Sequence, residues 1–289
     1  MSNLRYLKHK ILYSKLFNHM GLARVSWAED LYIKSISSFS NKGNFENLQF
    51  TTSILNEEPK SLTFAPFESI EHKYVIKVED PKNIFFKTVA WLDQIIEFKP
   101  LYSSYIANTA RIHKTAVVSD EVYIGQGTII GAGVVIYPNV KIGDSCIIEA
   151  NSVIGNAGFG IVQEGSQNWM VPHVGGVIVG NNVRVGALTT IDRATIGFTI
   201  IGDFSKIDDR VHIAHNCVIG EKNIICAATS VAGSVTIGDD CWLGLGCNIK
   251  EKVYVADGTT IGIGANVFHD TNSQANMTGY PARRMPRLE

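Results

Sequence analysis

The second half of the chain carries an aliphatic side chain at every sixth position, with two interruptions. The repeat occupies Ile106, Ile112, Val118, Ile124, Ile130, Ile136, Ile142, Ile148 and Ile154, then Val179, Val185 and Ile191, and finally Ile201, Ile207, Ile213, Ile219, Ile225, Val231, Ile237, Leu243, Ile249, Val255, Ile261 and Val267. The register is lost after Ile154 and slips by four residues between Ile191 and Ile201. This pattern predicts one repetitive domain over residues 101–289.

A period of six fits neither an α-helix, which repeats every 3.6 residues, nor an open sheet, which repeats every two. It fits a triangular coil in which each hexad forms one short strand and three hexads complete a circuit of about 18 residues. The aliphatic residues then stack inward, and about eight coils enclose a core. The predicted fold class is mainly β, a parallel β-helix. A second, small inward position is occupied by Cys146, Cys217, Cys241 and Cys247, which are predicted to be structural.

The first half has mixed periods and predicts a small α/β domain over residues 1–100. Strands are expected at Ser61–Phe64 and Tyr74–Val78, and a basic helix from Leu4 to Met20. Asp80 and Pro81 predict a second helix, as N-cap and first helical residue. At helical spacing that helix would bury Ile84, Phe85, Val89, Leu92 and Ile96.

The composition excludes several function classes. Only 18% of the residues are charged, and 26 Lys and Arg nearly balance 27 Asp and Glu, so the chain has no global field for nucleic acid or an anionic membrane. No apolar run reaches the roughly 18 residues of a spanning helix. Five cysteines, an odd number without a CxxC pair, argue against a disulfide framework. We therefore expect a cytoplasmic protein without nucleic-acid partners or an integral membrane segment.

Function in a repetitive coil is expected where the repeat is interrupted, because a regular coil offers no pocket. The longer interruption, residues 156–177, includes Gly158, Phe159 and Gly160 and predicts an ordered loop that covers a ligand, or one that packs against a neighbouring subunit. The shorter interruption follows Asp192 and Arg193. These two side chains either bind a polar substrate or form a surface ion pair.

A histidine and a glycine are separated by one predicted circuit. His215 follows the inward Ile213, and 18 residues further on lies Gly233. Imidazole is the usual proton shuttle near neutral pH, and an unshielded glycine N–H can donate to an oxyanion. His215 is therefore the candidate general base and Gly233 the candidate oxyanion donor, with Asp208 as a candidate to orient or charge-stabilise the base.

These motifs resemble those of the hexapeptide-repeat acyltransferases, and among them the UDP-3-O-acylglucosamine N-acyltransferases of lipid A synthesis. The four-residue slip belongs to that family's pattern, and the matching segments are residues 153–160, 189–193, 207–208, 213–216 and 232–234. The resemblance implies a left-handed helix, a homotrimer with active sites between subunits, and acyl transfer from a thioester to a sugar amine. It also implies the roles of His215 and Gly233. The candidate substrate-binding residues are Gly158, Phe159, Gly160, Asp192, Arg193, Asn216 and Lys252.

The sequence also departs from the family's pattern. The family's second histidine falls on Lys252, and the asparagine and tyrosine that hold uracil have no clear match after Phe64. Residues 279–284 resemble a Gly-x-Pro-Ala-basic segment common in coenzyme A-dependent relatives. This segment supplies the candidate donor-binding residues Gly279, Tyr280, Pro281 and Arg283. We expect acyl carrier protein or acyl-CoA as the co-substrate, with no permanently bound cofactor and no metal.

The leading hypothesis is an N-acyltransferase that acts on the amine of a nucleotide-linked amino sugar in lipid A or surface-polysaccharide synthesis. Residues 1–100 are then the candidate nucleotide-binding domain. Three alternatives remain open. The same base could serve O-acylation of a sugar hydroxyl, His173, His212 and His215 could form the zinc site of a hydratase, or the chain could be a non-catalytic hexapeptide-repeat trimer.

Overall fold

The computed structural model describes residues 4–21, 32–37, 47–72, 74–95 and 98–279. The chain forms two compact units, each with its own hydrophobic core. The first, here called the N-terminal unit, is built from residues within 1–100 together with 157–176 and 194–198. The second, here called the solenoid, comprises 101–156, 177–193 and residues from 199 onward.

The N-terminal unit contains a five-stranded mixed sheet with strands in sequence order. The strands are β1 (Leu4–Leu12), β2 (Tyr32–Ser37), β3 (Asn47–Phe50), β4 (Leu62–Ala65) and β5 (Val75–Lys77), and the helices are α1 (Tyr13–Met20) and α2 (Pro81–Ile95). Strand β1 is antiparallel to β2, and the other pairs are parallel. The two predicted strands are confirmed as β4 and β5.

The predicted start of helix α2 is also confirmed. The Asp80 carboxylate accepts a hydrogen bond from the Asn83 N–H at 3.0 Å, as an N-cap does. Of the side chains expected on its inner face, Phe85, Val89 and Leu92 are fully buried. Ile84 is half-buried, and Ile96 lies outside the described residues.

The prediction of one helix from Leu4 to Met20 is wrong in its first part, which forms strand β1. Leu7 and Ile11 are both buried and lie four residues apart, a spacing that imitates a helix. Residues i and i+4 also share one face of a strand, but the strand alternation is broken at His9, which is exposed, and the strand pairing is irregular there. Tyr6 pairs with Ser35 but Ile11 pairs with Ile33, so five steps along β1 correspond to two along β2. Only the last part of the segment continues as helix α1.

The longer interruption of the repeat is an ordered β-hairpin. Strands β15 (Ile161–Glu164) and β16 (Gln167–Met170) pair in antiparallel fashion. Val162, Val171 and Val174 are buried in the same core as Phe85. The hairpin therefore belongs to the N-terminal unit, although its place between two hexads had assigned it to the β-helix domain.

The solenoid consists of three parallel sheets, here called faces 1, 2 and 3, which the chain visits in that order. Face 1 contains β6 (Tyr105–Ile106), β9 (Val122–Ile124), β12 (Val140–Ile142), β17 (Gly176–Val179), β20 (Phe198–Ile201), β23 (Val218–Ile219), β26 (Thr236–Ile237) and β29 (Tyr254–Val255). Face 2 contains β7 (Arg111–Ile112), β10 (Ile129–Ile130), β13 (Ile147–Ile148), β18 (Arg184–Val185), β21 (Lys206–Ile207), β24 (Ile224–Ile225), β27 (Trp242–Leu243), β30 (Thr260–Ile261) and β32 (Asn276–Met277). Face 3 contains β8 (Val117–Val118), β11 (Val135–Ile136), β14 (Val153–Ala157), β19 (Thr190–Arg193), β22 (His212–Ile213), β25 (Ser230–Val231), β28 (Asn248–Ile249) and β31 (Asn266–Val267).

The strand registers confirm the predicted circuit. Ile130 pairs with Ile148, which lies 18 residues further along the chain. Across the hairpin insertion Val140 pairs with Val177, and across the four-residue slip Arg184 pairs with Lys206. The repeat positions from Ile124 to Val267 are buried and form one continuous core.

The cysteines at the small inward position are structural, as predicted. Cys146, Cys217, Cys241 and Cys247 are buried and unpaired. Burial raises the pKa of each of these thiols, that of Cys217 to about 12. The reactive thiolate form is therefore suppressed in the solenoid core.

Candidate active site at one corner of the solenoid

The backbone stacks regularly where the chain turns from face 3 to face 1, a place here called the 3–1 corner. Asn216, Ser234 and Lys252 occupy equivalent positions with φ of 61°, 63° and 64°. The Ser234 N–H donates to the His215 carbonyl at 2.9 Å, and the Lys252 N–H donates to the Gly233 carbonyl at 3.1 Å. Successive circuits therefore place their corner residues directly above one another.

His215 and Gly233, predicted to share a corner, are brought together by this stacking. A Cβ atom placed on Gly233 would lie 2.9 Å from both Cε1 and Nε2 of His215. Real Cβ atoms do not approach other heavy atoms so closely, so the imidazole has its place only because residue 233 is glycine. Within the described part of the chain, the Gly233 N–H donates to no acceptor. A free donor thus lies beside the Nε2 edge of an imidazole.

The Nδ1 atom of His215 is occupied by a neighbouring side chain. The Asn216 amide Nδ2 lies 3.0 Å from Nδ1. Asn216 is itself anchored through its N–H, which donates to the hydroxyl of the buried Thr199 at 3.0 Å. The role of Thr199 was not predictable from the sequence, because the four-residue slip hides its position in the circuit.

Asp208 is not brought to His215. It follows β21 and therefore lies at the corner between faces 2 and 3, one strand earlier in the same circuit. Among the described residues it makes no hydrogen bond or ion pair with the imidazole. Its charge instead acts on Cys226, whose pKa is raised first by burial and then by Asp208. The six-residue period already predicts that Asp208 and His215 lie at different corners, since they are one hexad and one residue apart in the sequence.

Lys252 does lie at the 3–1 corner. It occupies the position of Asn216 and Ser234 two circuits beyond His215, and its side chain is exposed. The Lys252 side chain thus places a cation at the same corner as His215 and Gly233.

Asp192 and Arg193, at the end of β19, have different partners and do not form an ion pair with each other. Arg193 Nε donates to the Gly155 carbonyl at 2.5 Å, and the guanidinium lies 5.8 Å from the centre of the Tyr137 ring. Asp192 Oδ2 lies 3.8 Å from His212 Nε2. The surface-ion-pair alternative therefore does not describe this pair of residues.

Burial governs the charge of Asp192 and His212. It raises the pKa of Asp192 to about 7 and lowers that of His212. The Nδ1 atom of His212 lies 2.7 Å from the Thr190 hydroxyl. Both the carboxyl group and the imidazole are thus biased toward their neutral forms.

The remaining predicted site residues belong to other parts of the chain. Gly158, Phe159 and Gly160 lie in the N-terminal unit, where Phe159 is 78% exposed and Gly160 approaches the His173 ring. His173 Nδ1 lies 2.8 Å from the Val171 carbonyl oxygen. Gly279 packs against the backbone of the preceding circuit at Ala265. The other predicted donor-binding residues, Tyr280, Pro281 and Arg283, lie outside the described residues.

The described residues contain no group of three or more His, Cys, Asp or Glu side chains placed to hold a metal ion. In the same part of the chain, no helix is both long enough and apolar enough to cross a bilayer.

Comparison with known proteins places these motifs among acyltransferases. The model of the bacterial transferase hexapeptide family (six repeats) matches residues 121–156. A UDP-3-O-acylglucosamine N-acyltransferase of Coxiella burnetii is 46% identical over 102 residues, which cover 35% of this chain and 30% of that protein. This match thus spans less than a third of the length of the relative.

A longer match is found with UDP-3-O-acylglucosamine N-acyltransferase 2 of Legionella pneumophila. The two sequences are 34% identical over 281 residues, covering 82% of this chain and 76% of that protein. Among solved structures, the UDP-N-acetylglucosamine acyltransferase of Campylobacter jejuni is similar with 26% identity and a TM-score of 0.45, over 55% of this chain and 68% of that one.

Proposed function

Because the chain belongs to the UDP-3-O-acylglucosamine N-acyltransferase family, we propose that it transfers an acyl group from a thioester to the amine of a nucleotide-linked amino sugar. The product serves lipid A or surface-polysaccharide synthesis in the cytoplasm. The observation that carries the proposal is the stacking of His215 on Gly233, whose N–H has no acceptor among the described residues. A proton acceptor and an oxyanion donor thus lie at one point of the surface.

In the proposed reaction, the amine nitrogen attacks the thioester carbonyl carbon while His215 Nε2 takes one N–H proton. The Gly233 N–H donates to the carbonyl oxygen as that oxygen becomes negative. Collapse of the tetrahedral intermediate forms the amide and expels the thiolate, which receives the proton from His215. General base catalysis contributes about 10²–10⁴-fold and one oxyanion donor about 10²–10³-fold. Positioning of the two substrates supplies much of the remainder.

Asn216 is the residue proposed to orient the base. For Nε2 to accept a proton, Nδ1 must carry the hydrogen and donate it to an acceptor. A half-turn of the Asn216 amide replaces Nδ2 with Oδ1 at the same 3.0 Å contact and provides that acceptor. Asp208 receives no orienting role in this proposal, because Asn216 already occupies Nδ1.

Binding roles are also proposed for the other candidate residues. Lys252 offers a charge for a phosphate group, and Asp192 and Arg193 are proposed to bind the acceptor. Gly158–Gly160 contribute on the substrate side, and residues 279–283 contact the acyl-CoA or acyl carrier protein donor. The coil is proposed to be left-handed and the protein a homotrimer with active sites between subunits, as the family resemblance implies.

A turnover screen with mass-spectrometric detection tests the function. The protein is incubated with UDP- and dTDP-linked amino sugars, including 3-O-acylated UDP-glucosamine, and with acetyl-CoA, 3-hydroxyacyl-CoA or 3-hydroxyacyl carrier protein. We expect an amide product that disappears with His215→Ala. An ester product would favour O-acylation. Sugar-nucleotide binding without turnover would favour a non-catalytic trimer.

A further inference from the structure

Face 3 carries two columns of aligned side chains next to the 3–1 corner. Strand pairing aligns Thr190, His212 and Ser230 in one column, and two residues further along each strand it aligns Asp192, Ala214 and Ala232 in another. Inward residues separate the two columns, so both columns point outward. The small side chains of Ala214 and Ala232 stand between the polar column and the column that contains His215 and Gly233.

Asp192 is the polar member of the second column. Its side chain is only 8% exposed, and among the described residues it accepts no hydrogen bond. Buried carboxyl groups in folded proteins almost always have a donor. His212 Nε2, at 3.8 Å from Oδ2, is beyond hydrogen-bond distance. Asp192 therefore has no donor among the described residues, while its carboxyl oxygens keep some contact with solvent.

His212 offers a second acceptor beside the first. Its Nδ1 atom lies 2.7 Å from the Thr190 hydroxyl oxygen. When Nδ1–H donates to that oxygen, Nε2 of the neutral ring carries a lone pair. Two acceptors 3.8 Å apart can be bridged by one –NH₃⁺ group, because each N–H bond needs a separation of only about 2.9 Å.

This pair of acceptors lies close to the proposed base. Asp192 aligns with Ala214, the residue before His215. With about 4.8 Å between neighbouring strands and about 3.3 Å per residue, the Cα atoms of Asp192 and His215 are about 6 Å apart. We propose that Asp192 Oδ2 and His212 Nε2 bind the ammonium group of the acceptor beside His215 and thereby select an amine over a hydroxyl as acyl acceptor. This inference rests on the proposed function.

The surroundings of Asp192 make its carboxylate a suitable acceptor for a proton from a bound ammonium group. Burial alone raises its pKa to about 7. The facing titratable groups are His212 and Cys217, while Arg193 is turned to the Gly155 carbonyl and strand β14 below carries no titratable side chain. The ammonium group gives one proton to the Asp192 carboxylate and becomes a neutral amine. His215 takes the second proton during attack and passes it to the thiolate, and Asp192 releases the first to solvent.

Binding of two sugar nucleotides that differ in one group tests the inference. UDP-glucosamine and UDP-glucose carry an amine and a hydroxyl at the same carbon, and isothermal titration calorimetry at pH 7.5 measures both. We expect the unmodified protein to prefer UDP-glucosamine about tenfold, the effect of one charge-assisted hydrogen bond. Asp192→Asn should abolish the preference. His113→Gln should retain it, because His113 also contacts a threonine through Nδ1 but has no carboxyl partner.

The outcomes separate this inference from the proposed function. Amide formation by the unmodified protein, together with equal binding of both sugars or an Asp192→Asn variant that keeps the preference, overturns the inference alone. A tenfold preference without any acyl transfer supports the ammonium site and overturns the function. If neither sugar nucleotide binds, both are wrong. A thermal unfolding transition of each variant excludes misfolding as the cause.

Discussion

Two corners of the solenoid share one backbone conformation but use it differently. At the corner between faces 1 and 2, here the 1–2 corner, the N–H groups of Gln126, Glu221 and Asp239 each donate to an aspartate Oδ1 from the next circuit, at 2.7 to 2.9 Å. At the 3–1 corner the equivalent N–H of Gly233 has no acceptor among the described residues. The equivalent donor is thus hydrogen-bonded within the protein at one corner and has no acceptor among the described residues at the other.

The side chains at these corners carry the same contrast. Aspartates of the 1–2 corner are exposed and accept hydrogen bonds from the backbone, so their negative charge is favourable. Asp192, beside the 3–1 corner, is 8% exposed and has no hydrogen-bond donor among the described residues, and burial makes its charge unfavourable. A site that sacrifices stability in this way is typical of function.

The largest effect should come from removing the imidazole at the 3–1 corner. His215→Ala should lower kcat about 10²–10⁴-fold, because the general base is lost. The thermal unfolding transition should hardly change, because His215 is only half-buried. Steady-state kinetics with the substrates found in the turnover screen, together with circular dichroism, measures both. Retention of kcat would show that another group takes the proton.

A methyl group at the adjacent circuit should have the next largest effect. Gly233→Ala places Cβ 2.9 Å from two ring atoms of His215, so the imidazole must move. We expect a loss in kcat of about 10²–10³-fold. The equivalent position of the corner between faces 2 and 3 already holds Ala227, and Ala227→Gly serves as the control without loss of activity. Equal kinetics for the unmodified protein and Gly233→Ala would contradict the stacked arrangement.

Removing the charge of Asp192 should stabilise the protein at high pH. The pKa of Asp192 in the folded state, about 7, lies above its ordinary value of 3.8. The folded state therefore binds an extra proton between these two values, and the free energy of unfolding falls as pH rises through that window. Asp192→Asn should match the unmodified protein below about pH 4 and be more stable above about pH 7, by at most about 4 kcal/mol. Urea unfolding at pH 5 and pH 8 compares them. A variant less stable at pH 8 would contradict the buried, unpartnered carboxyl.

The smallest effect is expected at the 1–2 corner. Asp239→Ala removes the acceptor of the Glu221 N–H, which lies 2.7 Å from Oδ1. Water can replace part of this bond, so we expect a loss of about 1 kcal/mol in the free energy of unfolding with kcat unchanged. Urea unfolding and steady-state kinetics on the same preparation measure the two. A fall in kcat at unchanged stability would mean that the 1–2 corner contributes to catalysis and not to stability.

The N-terminal unit was less predictable than the solenoid for a physical reason. Strands β4 and β5 and the start of helix α2 carry local signals, namely β-branched runs and an N-cap. In strand β1, Leu7 and Ile11 lie four residues apart, a spacing that puts both on one face of a helix or of a strand, and the irregular pairing with β2 interrupts the strand alternation at the exposed His9. That irregularity depends on a partner strand distant in sequence, which no local pattern encodes.

The sequence by itself determined the three-sided coil and the meeting of His215 with Gly233. Residues one circuit apart must stack, because every inward aliphatic side chain has to cover its neighbour. Only the tertiary structure decided which side chain occupies Nδ1 of His215, which core the hairpin at 161–170 joins, and that Asp192 is buried beside His212. A period specifies which backbone positions are neighbours, whereas the packing around each position determines which of the neighbouring side chains make contact.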